Sequence, residues 1–422
     1  MGKRDSRKKN IIVISATYPF GSTETFLENE LPFLVERFGH IYLLPTFSYG
    51  SPRNLPDGVT LLSSAPPSQW RLLEFIRGFL SSGGMFLPEW KRAPGYPFSP
   101  YQLYLTSRTL GIARRMEQRI LKTINENNLQ NGIIYSYWMN QACIGGIMAA
   151  RKHNWTVATR VHGGDLYTER YAGNFLPWHE WKVRNADYIF PVSQNGRDYL
   201  AYRYPGCAGK IRLMKLGVSG PARIPPGPSP KSKTDAGPES LHLASCSSVI
   251  PLKRVDHILE TVHKLKELLP APDIRWTHIG NGPQFSTLQN RARSITREGL
   301  RIDLKGHLPN NEVRKFYQTG GIDLFVNYST SEGLPVSIME AFSCGIPAAA
   351  PDVGGIPEIV DQSNGLLFDP DTPPEVLAMQ IRDLYRSGAL SDMRTSARKK
   401  WEQEFRLESN YQKFADFLYH EV

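Results

Sequence analysis

At 422 residues the chain is long enough for two ordinary domains with cores of their own, and 41% hydrophobic residues exclude disorder as its overall state. The formal charge of +10 and a pI near 9.3 admit a nucleotide, a nucleic acid or a membrane surface as anionic partner, and the lack of a zinc-finger, RRM-like or basic-helix pattern argues against nucleic acid. No apolar run approaches the ~20 residues of a membrane span, and the charged stretch Met1 to Asn10 leads into a strand rather than a signal-peptide core, so a cytoplasmic protein is expected.

The first half alternates short apolar runs with helical ones. Ile11–Ser15, Ile41–Leu44, Ile133–Tyr135, Val157–Val161 and Tyr188–Val192 read as strands, and the amphipathic stretches Thr25–Phe38 and Arg108–Asn127 read as helices covering a parallel sheet. That is a Rossmann-like domain over residues 1–218. Behind its first strand, Tyr18 to Leu27 forms a loop in which Gly21 permits close backbone approach. Ser22 or Thr23 is expected to cap the next helix, beside Glu24, leaving amides for phosphate or acceptor hydroxyls.

The region Pro66 to Pro100 breaks the alternation. Trp70, Phe75, Phe79 and Trp90 lie among Arg71, Arg77, Lys91 and Arg92, a mix that suits either an interfacial segment on an anionic membrane or an excursion packed on its own domain. Further on, Arg160-Val161-His162-Gly163-Gly164-Asp165 follows a strand directly, which places His162 at the sheet's carboxyl edge. His179-Glu180-Trp181-Lys182-Val183 lacks the second histidine of a zinc protease, no carboxylate cluster has metal spacing, and no required metal or other cofactor is expected. Cys143, Cys207, Cys246 and Cys344 show no Cys-x-x-Cys spacing and read as reduced packing residues.

Residues 219–240 carry six prolines and almost no large apolar residues, so they read as an interdomain linker. A second α/β series over 241–400 follows, with strands at Leu241–Ala244, Ile274–Ile279, Ile302–Leu304, Asp323–Asn327 and Pro347–Ala350. Two such domains imply a central cleft, with ligands at the carboxyl ends of the strands.

The densest signal is Ser329 to Pro347. It sets Glu332 and Glu340 with seven residues between them around a loop-to-helix junction, Pro335 falling in the first helical turn and Ser343-Cys344-Gly345 at its end. A free helix N-terminus there favours phosphate. An eight-residue helical step rises roughly 12 Å, which leans against a glycosidase pair at ~5–9.5 Å.

This segment resembles the Glu-x7-Glu motif of family 4 retaining glycosyltransferases of the bacterial surface-polysaccharide type, which have the GT-B fold, an α/β architecture of two Rossmann-like domains. Ser247 to Asp256 resembles the family's phosphate-binding segment: Lys253 matches its lysine, Ser248 stands where an arginine is common, and Arg254 is a candidate substitute. Ile279 to Pro283 with Gly282, Lys305-Gly306-His307, Pro351 to Glu358 and Asn364 to Phe368 resemble the family's loops at the sheet's carboxyl edge. The Tyr18 to Leu27 and His162 loops are similar to its acceptor-face loops.

The resemblance implies transfer of a hexose, with retention, from a UDP- or GDP-sugar to a growing lipid-linked saccharide, by a cytoplasmic protein peripheral on the inner face of the membrane. It implies that Glu340 binds the ribose and Lys253 the pyrophosphate. Glu332, with the amides of Gly333, Leu334, Pro335 and Val336 that follow it in sequence, would hold the sugar, proline itself contributing no N–H. His162 would stand beside the transferred sugar, stabilising positive charge through its carbonyl, with Asp165 anchoring its loop. It also implies that the last helix, placed at 401–422, packs back on the first domain. A sugar-nucleotide epimerase-like isomerase and a non-catalytic sugar-nucleotide-binding subunit remain open as alternatives.

Overall fold

The computed structural model describes residues 9–21, 23–63, 71–80, 84–226 and 240–422. Ser22, Trp70, the basic run before Lys9 and most of the expected linker (227–239) lie outside them. The chain forms two compact units, Met1–Met214 with Tyr411–Val422, and Lys215–Asn410.

In the first unit, β1 (Asn10–Ser15), β2 (Ile41–Pro45), β3 (Val59–Leu61), β4 (Gly132–Ser136), β5 (Thr156–Val161) and β6 (Tyr188–Pro191) form one parallel sheet in the order β3-β2-β1-β4-β5-β6. Both faces are covered, which is why the central strands read as unbroken apolar runs. Ile11 and Val13 of β1 pack with Leu27, Leu31 and Leu34 of α1 (Thr25–Phe38) and with Phe414 and Leu418. Ile12 and Ile14, pointing the other way by the period-2 pleat, meet Met116, Ile120 and Ile147. Strand β3 escaped the sequence reading because it is three residues long and only half buried.

The segment at 71–126 forms α2 (Arg71–Leu80), α3 (Phe86–Lys91) and α4 (Pro100–Glu126), the last 27 residues long and capped by Ser99, whose Oγ accepts from the Gln102 amide at 3.3 Å. Helix α2 lies so close on α4 that a Cβ on Gly78 would stand 1.7 Å from the Ser107 carbonyl oxygen, and one on Gly111 1.8 Å from that of Glu74.

The second unit has β7 (Ser240–Cys246), β8 (Asp273–Ile279), β9 (Leu300–Leu304), β10 (Leu324–Val326), β11 (Ala348–Pro351) and β12 (Gly365–Phe368), parallel in the order β12-β11-β10-β7-β8-β9. Asn364 to Phe368 is thus for the most part an edge strand rather than the loop the resemblance suggested. Residues 215–226, two-thirds of them inside the expected linker, pack within this unit: Trp401 donates to the Val218 carbonyl at 3.0 Å and Arg398 to that of Pro221 at 2.9 Å. The tail is two helices, not one. Ala389–Glu404 belongs to the second unit, and Leu407–His420 carries Phe414 and Leu418 into the first unit's core.

Candidate functional site

In the second unit, neighbouring strands β7 and β10 run to loops on opposite sides, so the strand order reverses between them. Ligands of open α/β sheets bind above such a switch point. Two side chains meet there: Lys253, from the turn after β7, donates its Nζ to Glu332 Oε1, from the loop after β10, at 2.5 Å. Both are largely sheltered. The loops are stitched by the Thr330 amide on the Leu252 carbonyl at 2.9 Å, and Asn327 places its Nδ2 3.4 Å from the same Glu332 oxygen while its Oδ1 accepts from the Ser329 amide.

The remaining loops close around this pair. Gly354, at φ 56, brings its Cα so near the Glu332 carbonyl that a Cβ would sit 1.9 Å from it. Gly282 approaches Val249 equally tightly, its would-be Cβ 2.4 Å from the Val249 oxygen, and Gly280 donates to the Gly306 carbonyl at 2.8 Å. These glycines are needed because backbones touch there. Gly333, Leu334 and Pro335 are buried, whereas His307 and Ser248 are exposed.

The helix after the loop spans Val336–Ser343, with Pro335 at its N-cap rather than in its first turn. No side chain caps it. Its Ile338 and Met339 amides reach back to the Pro335 carbonyl, and the Val336 and Ser337 amides have no hydrogen-bond acceptor among the described residues. Glu340 lies nine-tenths buried on this helix, and burial, opposed by Arg314 and the Asn310 side chain, pushes its carboxyl up to about 7.

A carboxyl raised in the fold holds its proton better there than when unfolded. Its ionisation therefore removes stability as pH climbs from its unfolded value, about 4.5, to about 7, and the loss stays constant above that. Glu340→Gln should gain on wild type by about 3 kcal/mol between those limits. Urea unfolding of both proteins at the two ends of the window checks this, and parallel pH profiles would remove Glu340 as the cause.

Arg254 does not join the Lys253–Glu332 pair. Its backbone is left-handed (φ 44) at the start of the next helix, and its guanidinium donates to the Pro370 carbonyl at 2.8 Å.

In the first unit the order reverses between β1 and β4. Here Thr23 is not the cap: the N-cap of α1 is Glu24, left-handed at φ 57, whose side chain makes no cap bond to the helix, and Ser22 lies outside the described residues. Thr23 instead bonds Thr17. The Glu24 carboxylate accepts from the amides of Ala16, Thr17 and Tyr18 at 2.7–2.8 Å and from Trp138 Nε1 at 2.8 Å, so these three amides ahead of the helix are taken by the loop's own side chain. Gly21, at φ 69, lets Tyr49 lie against the loop.

The His162 ring lies tilted against two others, its centroid 4.3 Å from that of Trp138 and 5.0 Å from that of Tyr137. Burial, then Arg160, lowers it to about 3, so the imidazole is neutral near pH 7. Both ring nitrogens are buried without a partner among the described residues, an arrangement that a polar ligand would satisfy. Its backbone carbonyl accepts from the Asp165 amide at 3.2 Å. Asp165 accepts from the His162 and Met139 amides at 2.6 Å each, and burial raises its carboxyl to about 7 against those donors and Lys182.

Sequence reasoning missed Asn327, Arg314, Asn310 and Trp138. Only Asn327 carried a signal, its place at the carboxyl end of a strand. Among the described residues no group of three or more His, Cys, Asp or Glu is arranged to hold a metal ion.

Residues 231–403 match the family model described as Glycosyl transferases group 1. The match covers about two-fifths of the chain. Similar proteins include the putative colanic acid biosynthesis glycosyltransferase WcaL of Escherichia coli (strain K12), 26% identical over 59% of this chain and 60% of that protein. Another is the putative teichuronic acid biosynthesis glycosyltransferase TuaC of Bacillus subtilis (strain 168), 31% identical over 61% of this chain and 62% of that protein. The match thus spans about three-fifths of the length of these relatives.

Among solved structures, the lipopolysaccharide outer core galactosyltransferase WaaB superposes with a TM-score of 0.66 at 16% identity, covering 97% of this chain and 99% of that one. Anabaena Alr3699/HepE, solved with UDP and glucose, gives 0.65 at 14% identity, with 97% and 99% covered. The fold is GT-B.

Proposed function

We propose that this chain transfers a hexose from a UDP- or GDP-sugar to a growing lipid-linked saccharide, with retention at the anomeric carbon, in the making of a cell-surface polysaccharide. The observation that carries the reading is the Lys253–Glu332 pair at the switch point, beside an uncapped helix N-terminus that bears Glu340. The polysaccharide-biosynthesis names of WcaL and TuaC, and the UDP held by HepE, support it.

The chemistry follows from the groups present. A diphosphate draws Lys253 away from Glu332 and accepts from the open amides of Val336 and Ser337, where the helix dipole favours negative charge. Glu332, released, accepts from the sugar's hydroxyls, and Glu340 in its ionised form accepts from the ribose. The bond from the anomeric carbon to the phosphate oxygen breaks as a bond to the acceptor oxygen forms on the same face, and the acceptor's proton passes to the departing phosphate. No side-chain base is required, so the rate comes from positioning and electrostatics. Neutral His162 is the first unit's hydrogen-bonding group toward sugar, held by the Asp165 loop.

A thermal-shift screen against UDP-, GDP- and ADP-sugars tests the donor, since a ligand at 100 times its dissociation constant adds roughly 2.7 kcal/mol. The anomeric configuration of the product, read by NMR, tests retention. Stabilisation by none of them defeats the reading. The exposed Ser248 in the arginine position favours one competitor, a non-catalytic sugar-nucleotide-binding subunit, which binding without transfer over a broad acceptor panel would establish.

Because Arg254 is turned to Pro370, Lys253 carries the phosphate contact in this reading. Lys253→Ala should cost about 1.5–3 kcal/mol, roughly 10- to 150-fold in donor affinity by calorimetry. Unchanged affinity would remove Lys253 from the site.

A further inference from the structure

Helix α2 is packed inside out. Its small and charged side meets α4: Gly78 lies on the Ser107 carbonyl, and Glu74, 2% exposed, is held between Arg115 at 2.8 Å and Arg108 at 3.3 Å. Its large apolar side chains face outward instead, Leu72 at 69%, Leu73 at 49%, Ile76 at 41%, Phe79 at 47% and Leu80 at 74% exposure. An amphipathic helix on a water-facing surface has the reverse arrangement.

The face continues past α2. A run of rings, Tyr104, Phe75, Phe79, Phe86, Trp90 and Tyr96, links α4, α2 and α3 with neighbouring centroids 4.9–6.3 Å apart; Phe86 is buried and roots the run in the unit's core, while Tyr104, Phe79 and Tyr96 are exposed. Beside it Phe98 stands 89% exposed. A contiguous apolar surface of this kind marks a docking site.

Charge decides the occupant. The acid of α2, Glu74, and the acid of α3, Glu89, are both buried, Glu89 accepting from the Trp178 amide at 2.6 Å. Arg71, Lys91 and Arg92 on the same two helices are exposed. Neither helix thereby presents a carboxylate of its own outward; Arg92 is paired with Glu180 at 3.6 Å, and the surface of α2 and α3 is left with apolar side chains, aromatic rings and the cations Arg71 and Lys91, in a chain of formal charge +10. That combination complements anionic headgroups over acyl chains: leucine and phenylalanine enter the boundary, tyrosine and tryptophan sit at the headgroup level, and cations meet phosphate.

We propose that the α2–α3 face of the first unit docks this protein on the surface of an anionic lipid bilayer, with α2 lying in the interfacial plane. The Glu74 clamp and the Gly78–Gly111 crossing fix α2 to a 27-residue helix, so the face is presented already formed. The inference does not rest on the proposed transfer reaction, because binding is read with no donor or acceptor present.

The test is flotation of the full chain with vesicles of phosphatidylcholine alone and of phosphatidylcholine mixed with phosphatidylglycerol, at about 0.05 and about 0.5 M salt. Wild type should float with the anionic vesicles, and salt should weaken binding without abolishing it. Neutralising Arg71→Gln with Lys91→Gln should weaken binding at low salt about fivefold per cation removed and leave the salt-resistant part intact. Leu72→Ser with Ile76→Ser and Phe79→Ser should remove the salt-resistant part, with a wild-type circular dichroism spectrum confirming the fold. Should this triple variant not fold, the charge variant and lipid series still decide. Absence of binding to every vesicle would overturn the proposal, as would a folded triple variant that floats like wild type. So would a wild-type dimer that the triple variant converts to monomer without any vesicle binding, since a second copy would then cover the face.

Discussion

Glu332→Gln should lower turnover by about 10²–10³-fold, the cost of removing one preorganised electrostatic contact to a developing charge, while donor affinity stays within a few-fold of wild type. The expected split follows from the geometry. Glutamine keeps an oxygen near Lys253 Nζ and Asn327 Nδ2, so the loop after β10 retains its shape, but it cannot carry the charge that strengthens hydrogen bonds from the sugar's hydroxyls. The loss belongs to kcat if, as proposed, the ground-state phosphate contacts are made by Lys253 and the helix N-terminus. Steady-state kinetics and calorimetry on one preparation separate the two. A variant with wild-type kcat would take Glu332 out of the reaction and leave it as the resting partner of Lys253.

Arg160→Met should cost about 3–5 kcal/mol of stability, because it strands a buried carboxylate. Arg160, in the middle of β5, is fully buried with its partner Glu30 of α1 at 2.7 Å. The guanidinium also donates to Tyr135 Oη and to the Met214 carbonyl at 2.9 Å each, and it lies 4.1 Å from the centre of the Phe414 ring. Burial acts against its charge, but Glu30 and the tyrosine hydroxyls around it raise the pKa, so it remains cationic. In the variant, Glu30 has lost its counterion and is driven toward the protonated form, so the loss should shrink as pH falls toward about 4. Replacing both members, Arg160→Met with Glu30→Met, should recover much of the stability, as apolar replacement of a buried pair commonly does. Chemical denaturation of the three proteins checks the set. A single variant within about 1 kcal/mol of wild type would mean that water reaches Glu30.

The sequence by itself determined the class of fold. Strands β1, β2, β4 and β5 were legible because a parallel strand buried on both faces must be apolar throughout, and α1 was legible because its core-facing residues recur at helical spacing. The stretch from Ser329 to Pro347 was legible because a strand, a polar loop and a proline before a helix can be read from local preferences alone. What neighbours what was decided only by the tertiary structure. Strand order sets the switch points, and nothing local reveals that β7 lies beside β10, so the meeting of Lys253 with Glu332 across 78 intervening residues had no sequence signal.

The same reason explains the misreadings. Glu24 reads as a member of the loop expected to meet phosphate or acceptor, and the turn after β1 folds its own amides onto that carboxylate, a use that depends on three-dimensional closure. Arg254 reads as a spare cation until its left-handed backbone sends it to Pro370. Asn364 to Phe368 reads as a loop because a four-residue edge strand shows too little period to declare itself. Helix α2 has an amphipathic pattern from which its orientation cannot be read. The close approach of Gly78 to α4, and the two arginines that claim Glu74, turn its apolar face outward, and those contacts exist only once α2 and α4 are packed.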